Sequence, residues 1–156
     1  MKASSLSDLK KELKMLPPEE VLEHCIRLAK YKKENKELLT YLLFEANDEQ
    51  EYIRHVQQEI DAQFEEINKS NIYYAKKSIR KILRFANKHC KYSGQKQTET
   101  ELLIYFCRKL KDSGVPVKKN LTLQNLYDRQ LQRIDKAVKT LHEDLQHDYE
   151  KEIEKL

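Results

Sequence analysis

Residues 72–93 read IYYAKKSIRKILRFANKHCKYS, and this stretch decides the fold class. Ile72, Ala75, Ile79, Ile82, Leu83, Ala86 and Cys90 recur at steps of three and four. That period gathers apolar side chains on one stripe of an α-helix. Ser70-Asn71 breaks the pattern on one side and Ser93-Gly94 ends it on the other. With the stripe turned inward, Lys77, Arg80, Lys81, Arg84, Lys88 and Lys91 fall on the opposite side and form the candidate binding face. No carboxylate occurs anywhere from Ile67 to Thr98, against nine cations.

Upstream the sign reverses. From Glu45 to Glu66 there are eight carboxylates and one cation, Arg54. A net charge of −7 is thus followed by +9, while residues 1–44 carry +2 and residues 99–156 carry 0, giving the chain total of +4. The acidic segment has its own helical stripe, Ile53, Val56, Ile60, Phe64 and Ile67, with Asn47 or Asp48 as N-cap. Because the turn at Ser70-Asn71 is short, the acidic and basic helices are expected to be antiparallel neighbours with ion pairs between their flanks.

Further outward the same period continues. An opening helix spans about Ser7 to Met15, capped by Ser5 or Ser7 and stopped at Pro17-Pro18. Pro18 starts a second helix bearing Val21, Leu22, Cys25, Ile26, Leu28 and Ala29. A polar break at Glu34-Asn35 separates it from a third with Leu38, Leu39, Leu42 and Leu43. Downstream, Thr98 or Thr100 starts a helix through Leu103, Phe106, Cys107 and Leu110, closed by Gly114 and Pro116.

From about Thr122 to the end, the sequence predicts one long helix. Tyr127, Leu131, Ile134, Val138, Leu141 and Leu145 alternate by four and three, a heptad-like seam, which then drifts through Tyr149, Ile153 and Leu156. At about 1.5 Å per residue such a helix is roughly 50 Å long. Its end is expected to project past a body of residues 1–120, or to pair with a second copy as a homodimer.

Two segments echo one another. Ile26-Arg27-Leu28-Ala29 followed by Glu37-Leu38-Leu39-Thr40-Tyr41-Leu42 parallels Leu83-Arg84-Phe85-Ala86 followed by Glu101-Leu102-Leu103-Ile104-Tyr105-Phe106. Each reads as helix, turn, helix. On these residues the chain resembles α-hairpin repeat proteins of the HEAT and armadillo type. The resemblance implies stacked helical hairpins, each needing a neighbour to bury its second face, and a surface that binds another protein. The expected architecture is all-α, a single domain over residues 1–156 with about seven helices, either a hairpin stack or an irregular bundle.

Composition narrows the functional classes. With Gly94 and Gly114 the sole glycines, the chain lacks the backbone for nucleophile elbows, P-loops and dinucleotide cradles, and it is expected to be non-enzymatic, with no catalytic residue and no cofactor. His24, His55, His89, His142 and His147 lack a chelating arrangement. Neighbours such as His24-Cys25 and His89-Cys90 point about 100° apart on a helix, and His142 and His147 are five apart. Asp144 and His147 have i, i+3 spacing but no partner helix with a matching pair, so no metal site is expected. Cys25, Cys90 and Cys107 are expected as buried free thiols. The longest apolar run, Leu102 to Cys107, is far below a membrane span, and residues 1–8 contain no apolar signal core. No membrane association and a cytoplasmic location are therefore expected.

Two readings of the basic helix remain. It can serve a protein partner or lie idle in solvent, partly neutralised by the acidic helix. It can also track a nucleic-acid backbone, with Tyr73, Tyr74 and Tyr92 near its ends to stack on bases. The net charge of +4 and pI of about 8.8 fall below what dedicated nucleic-acid binders carry, and favour the first.

Overall fold

The computed structural model describes all 156 residues and contains helices and turns but no strand. The chain parts into two compact units, Met1–Phe44 and Glu45–Leu156. Residues 121–156 belong to the second unit.

The first unit holds α1 (Leu6–Met15), α2 (Pro18–Tyr31) and α3 (Lys33–Thr40). Ser5 Oγ accepts the Asp8 N–H and opens α1, and Pro18 occupies the first turn of α2. The break between α2 and α3 falls at Lys32, which is extended (φ −140°, ψ 147°), rather than at Glu34-Asn35. Asn35 instead ties the hairpin together, its Nδ2 donating to the Leu28 carbonyl at 2.8 Å. None of the three helices has a buried residue. The apolar stripes expected to be interior, Leu22, Ile26, Leu38, Leu42 and Leu43 among them, lie at the surface. Cys25 is likewise exposed, which corrects its expected burial. α3 runs on into a π turn, Tyr41–Glu45.

The second unit holds α4 (Glu49–Glu65), α5 (Ile72–Ser93), α6 (Lys96–Asp112), a 3₁₀ turn at Val117–Lys119, α7 (Leu121–Val138) and α8 (Glu143–Ile153). Its helices follow one another as packed antiparallel neighbours around α6, which contacts α4, α5 and α7. α6 explains its own sequence: Leu102, Leu103, Ile104, Phe106, Cys107 and Leu110 are all buried, so its apolar residues spread around the helix rather than along one stripe. α4 and α5 keep their predicted stripes, with Ile53, Val56, Ile60 and Phe64 facing Ile79, Ile82 and Ala86 in the core. The Phe64 and Phe106 rings meet at 5.8 Å, tilted by 49°.

α6 begins at Lys96, two residues before the expected threonine caps. Thr98 and Thr100 are buried inside the helix instead. Thr100 Oγ1 donates to the Lys96 carbonyl at 2.9 Å, and Thr98 Oγ1 donates to Glu49. Ser93 Oγ donates to the same Glu49 carboxylate, so the first turn of α4 is fastened to both sides of the α5–α6 turn. Gly94 makes that turn with φ +68°, a left-handed value that favours glycine.

The expected long C-terminal helix is two helices. α7 ends at Val138, Thr140 Oγ1 donates to the Ala137 carbonyl, and His142 Nδ1 accepts the Asp144 N–H to start α8. Gln146 Nε2 donates to the Leu141 carbonyl at 2.7 Å and secures the bend. The physical reason lies in α8's apolar face. A straight helix would carry Tyr149 and Leu156 into solvent, whereas the folded-back α8 buries Tyr149 and bonds its hydroxyl to Glu101 at 2.7 Å. Arg108 pairs with Glu152 at 3.1 Å, and the Tyr127 hydroxyl donates to the Leu156 carbonyl at 2.9 Å. The end therefore does not project. The seam expected to pair with a second copy is taken up within the chain, with Ile134, Val138 and Tyr149 buried.

Cys90 and Cys107 are buried free thiols as expected, and burial pushes both pKa values up to about 12. The tyrosines divide: Tyr41 and Tyr52 are buried, while Tyr31 stands exposed. The two echoed hairpins also differ in what they bury. α2–α3 has no buried residue, while α5–α6 supplies half of the core of its unit.

Candidate binding face

The basic face is built by α5. Asn71 Oδ1 accepts the Tyr73 N–H at 2.9 Å and the Tyr74 N–H at 3.3 Å, which fixes the helix start. Ala75, Ile79, Ile82, Ala86 and Cys90 are buried and lock the rotation of the helix about its axis. Lys77, Arg80, Lys81, Arg84 and Lys91 are consequently exposed on one side, over about 21 Å of helix. Lys88 differs from the other five. It is half-buried, with Nζ 5.8 Å from the Phe85 ring centre and 5.9 Å from that of Tyr92.

The structure corrects the expectation of neutralisation by α4 for these five cations. None of Lys77, Arg80, Lys81, Arg84 and Lys91 has a carboxylate within 4 Å. Three of the α4 carboxylates, Glu49, Glu51 and Asp61, are engaged elsewhere, while Glu59 and Glu65 stand exposed. Glu51 pairs with Arg54 and His55 on its own helix. Asp61 faces α6, accepting the Tyr105 hydroxyl at 2.7 Å and pairing with Lys109 at 2.8 Å. Asp48 caps α4 through the Glu51 N–H. The two helices are neighbours, as expected.

Two arginines of α7 join the picture, and sequence reading missed both. Arg129 is exposed and lines an open groove of about 310 Å³ together with Arg80, Leu83, Thr122, Asn125 and Leu126. It too has no carboxylate within 4 Å, so the basic surface spans two helices. Arg133 is structural. Its guanidinium donates to Asn87 at 2.6 Å, to Gln130 at 3.1 Å and to Glu99 at 2.9 Å, joining α5, α6 and α7. Neither role is visible in sequence, since nothing there places α7 beside α5.

Burial alone would raise the pKa of Glu99, but hydrogen bonds from Lys96 and Arg133 outweigh it and hold the carboxyl below 4.5. A depressed folded-state pKa stabilises the fold above pH 4.5 and loses that contribution as pH falls through the folded value. Glu99→Gln is therefore expected to cost about 1–2 kcal/mol at pH 7 and less at pH 2.5. Urea unfolding at the two pH values measures the difference, and equal losses at both would refute it.

The remaining chemistry-bearing residues are dispersed. His55 pairs with Glu51 at 3.0 Å, and His142 caps α8. Asp144 and His147 are both exposed on α8. No three His, Cys, Asp or Glu side chains come together in an arrangement that could hold a metal ion. His89 sits in an aromatic cluster that the sequence does not announce, hydrogen-bonded through Nδ1 to the Tyr52 hydroxyl at 2.7 Å and 4.4 Å from the Phe85 ring. No helix is long and apolar enough to cross a membrane. Comparison with protein-family models, with curated proteins and with solved structures finds no match for this chain.

Proposed function

We propose that this chain is a non-enzymatic helical interaction module that binds an acidic surface of a partner protein through α5 and Arg129. The observation that carries the reading is the run of exposed cations without carboxylate partners, Lys77, Arg80, Lys81, Arg84 and Lys91. Five like charges along one helix repel one another, and an acidic partner relieves that repulsion and is steered toward the face. The adjoining groove, with Leu83 and Leu126 beside Arg80 and Arg129, offers an apolar floor with a charged rim. An α-hairpin body of this kind presents a rigid surface and fits a cytoplasmic scaffold role.

A second reading is nucleic-acid binding by the same face. What favours it is the placement of Tyr73 and Tyr74 at the start of α5, both exposed, where bases could stack. The two readings separate in one titration with poly-L-glutamate, a DNA duplex and a single-stranded RNA as probes at low salt. The protein-partner reading expects binding to poly-L-glutamate, with duplex and single strand no tighter. The variant Arg80→Gln/Lys81→Gln/Arg84→Gln should weaken that binding by roughly 10- to 100-fold with an unchanged helical spectrum. Tighter nucleic-acid binding, with log affinity falling linearly in log salt, would select the second reading. Absence of binding to all three would remove both.

A further inference from the structure

The groove between α5 and α7 differs from the rest of the basic surface in shape and in the donors it offers. Along α5 the cations stand out from a single helix, whereas the groove is a concavity of about 310 Å³ with one arginine from each helix, Arg80 and Arg129. Both are exposed and neither has a carboxylate within 4 Å. No acidic residue lines the groove, and Asp128, beside Arg129 in sequence, lies outside it and accepts the Gln124 amide at 2.8 Å. Gln130 closes the groove as a buried wall, with its own amide committed to the Leu126 carbonyl and to Arg133. The hydrogen bonds of this part of α7 are made by Asn120, Gln124 and Gln130, which leaves the Thr122 hydroxyl and the Asn125 amide as unengaged donors in the groove. Thr122 sits in the first turn of α7, a turn without an acidic residue, so the positive end of that helix is not offset there.

We infer that this groove receives a phosphorylated serine or threonine side chain of the acidic partner, an inference that rests on the reading of the basic face given above. Charge favours a phosphate over a carboxylate. Two guanidiniums converge on one concavity, and a phosphate monoester brings about −1.5 to −2 of charge, whereas a single Asp or Glu would leave one of them unpaired. Donor geometry agrees with charge. Each guanidinium presents a planar fork that grips two oxygens of a phosphate, which a lysine cannot do. The Thr122 hydroxyl and the Asn125 amide supply neutral donors for the remaining oxygen, and Leu83 and Leu126 give the carbon stem an apolar bed. A nucleic-acid backbone matches less well. Its phosphodiester carries one negative charge per phosphate, and no aromatic ring lines the groove to stack on a base.

The test is fluorescence anisotropy of the full chain with a short glutamate-rich peptide carrying one central serine, in unmodified, aspartate and phosphoserine forms. Salt is held at about 0.15 M, where exposed charges more than about 8 Å apart are screened. The phosphoserine form should bind ~30-fold or more tighter than the unmodified form, the gain that charge-assisted hydrogen bonds imply. The aspartate form should stay within about fivefold of the unmodified one. Arg80→Lys/Arg129→Lys keeps the charge and removes the forks, so it should cut the phosphoserine preference to about threefold and leave the unmodified form within about twofold. Its helical spectrum should be unchanged, because both positions are exposed. Lys77→Gln/Lys91→Gln, away from the groove, should weaken all forms by the same factor. Equal binding of all forms would overturn the inference and leave the acidic-partner reading standing, whereas absence of binding to every form would remove both. A phosphoserine preference that survives Arg80→Lys/Arg129→Lys would also overturn it. So would a terminally phosphorylated oligonucleotide that displaces the phosphoserine peptide more strongly than the unlabelled peptide does.

Discussion

Phe106→Ala is expected to destabilise the Glu45–Leu156 unit by about 4 kcal/mol, the largest single-residue effect in the chain. Phe106 is fully buried on α6 and meets Phe64 of α4 at 5.8 Å. Removing the ring loses its transfer energy and the pairing with Phe64. It also leaves a cavity that α6 cannot close, because helices pack against it from several sides. For a unit of this size the loss amounts to a fall in Tm on the order of 15 °C. Urea unfolding followed by circular dichroism measures it. Leu22→Ala on the exposed face of α2 is the control, expected to change stability by less than about 0.5 kcal/mol. A loss below about 2 kcal/mol for Phe106→Ala would mean that the core repacks more freely than the burial implies.

Tyr149→Ala should cost about 3 kcal/mol and act locally, freeing α8 before the rest of the unit unfolds. The ring is the buried anchor of α8, and its hydroxyl donates to Glu101 of α6 at 2.7 Å. Tyr149→Phe separates the two contributions. It keeps the ring and leaves Glu101 with the Gln97 amide as donor, so a loss of about 1 kcal/mol is expected. Amide hydrogen exchange over residues 143–153 provides the readout. Protection there should fall in Tyr149→Ala while α4 and α5 retain theirs. Burial foremost, then the bond to Glu101, raises the Tyr149 pKa above 10.0. That raised value means the contribution is fully present below pH 10.0 and is lost as pH climbs through the folded value. Uniform loss of protection across all helices would show that α8 is not a separate unit of stability.

Where the chain states its punctuation chemically, the fold was readable. Asp48, Asn71, Gly94 and Pro18 each carry a known cap or turn preference, and each sits where that preference placed it. Where punctuation is tertiary, it was not. Lys32 takes extended geometry with no glycine or proline beside it, and the bend after Val138 is made by Thr140, His142 and Gln146, residues equally at home inside a helix. The heptad steps ran straight through that bend because both halves bury the same face, one along α7 and one after reversal in α8. The threonines of α6 misled in the opposite way. Cap formers by type, Thr98 and Thr100 are held inside a helix by Glu49 and by the Lys96 carbonyl.

The candidate face divides along the same line. Periodicity alone placed Lys77, Arg80, Lys81, Arg84 and Lys91 on one side of α5. It could not reveal that Glu49, Glu51 and Asp61 of the acidic helix are taken up by the α5–α6 turn, by Arg54 and His55, and by α6. Nor could it reveal that Arg129, 36 residues beyond Ser93 in sequence, extends the surface from α7.

The central position of α6 has a consequence for synthesis. α4 and α5 leave the ribosome before the helix that covers their shared stripe, so Ile53, Ile60, Ile79 and Ile82 emerge with half of their final neighbours missing. The hairpin can close on itself at once, since its contacts are local in sequence. It cannot reach native burial until about residue 112 has cleared the exit tunnel, and Glu101 waits longer still for Tyr149 of α8 to emerge. The nascent chain thus passes through a defined aggregation-sensitive interval, opened by the end of α5 and closed by the arrival of α6.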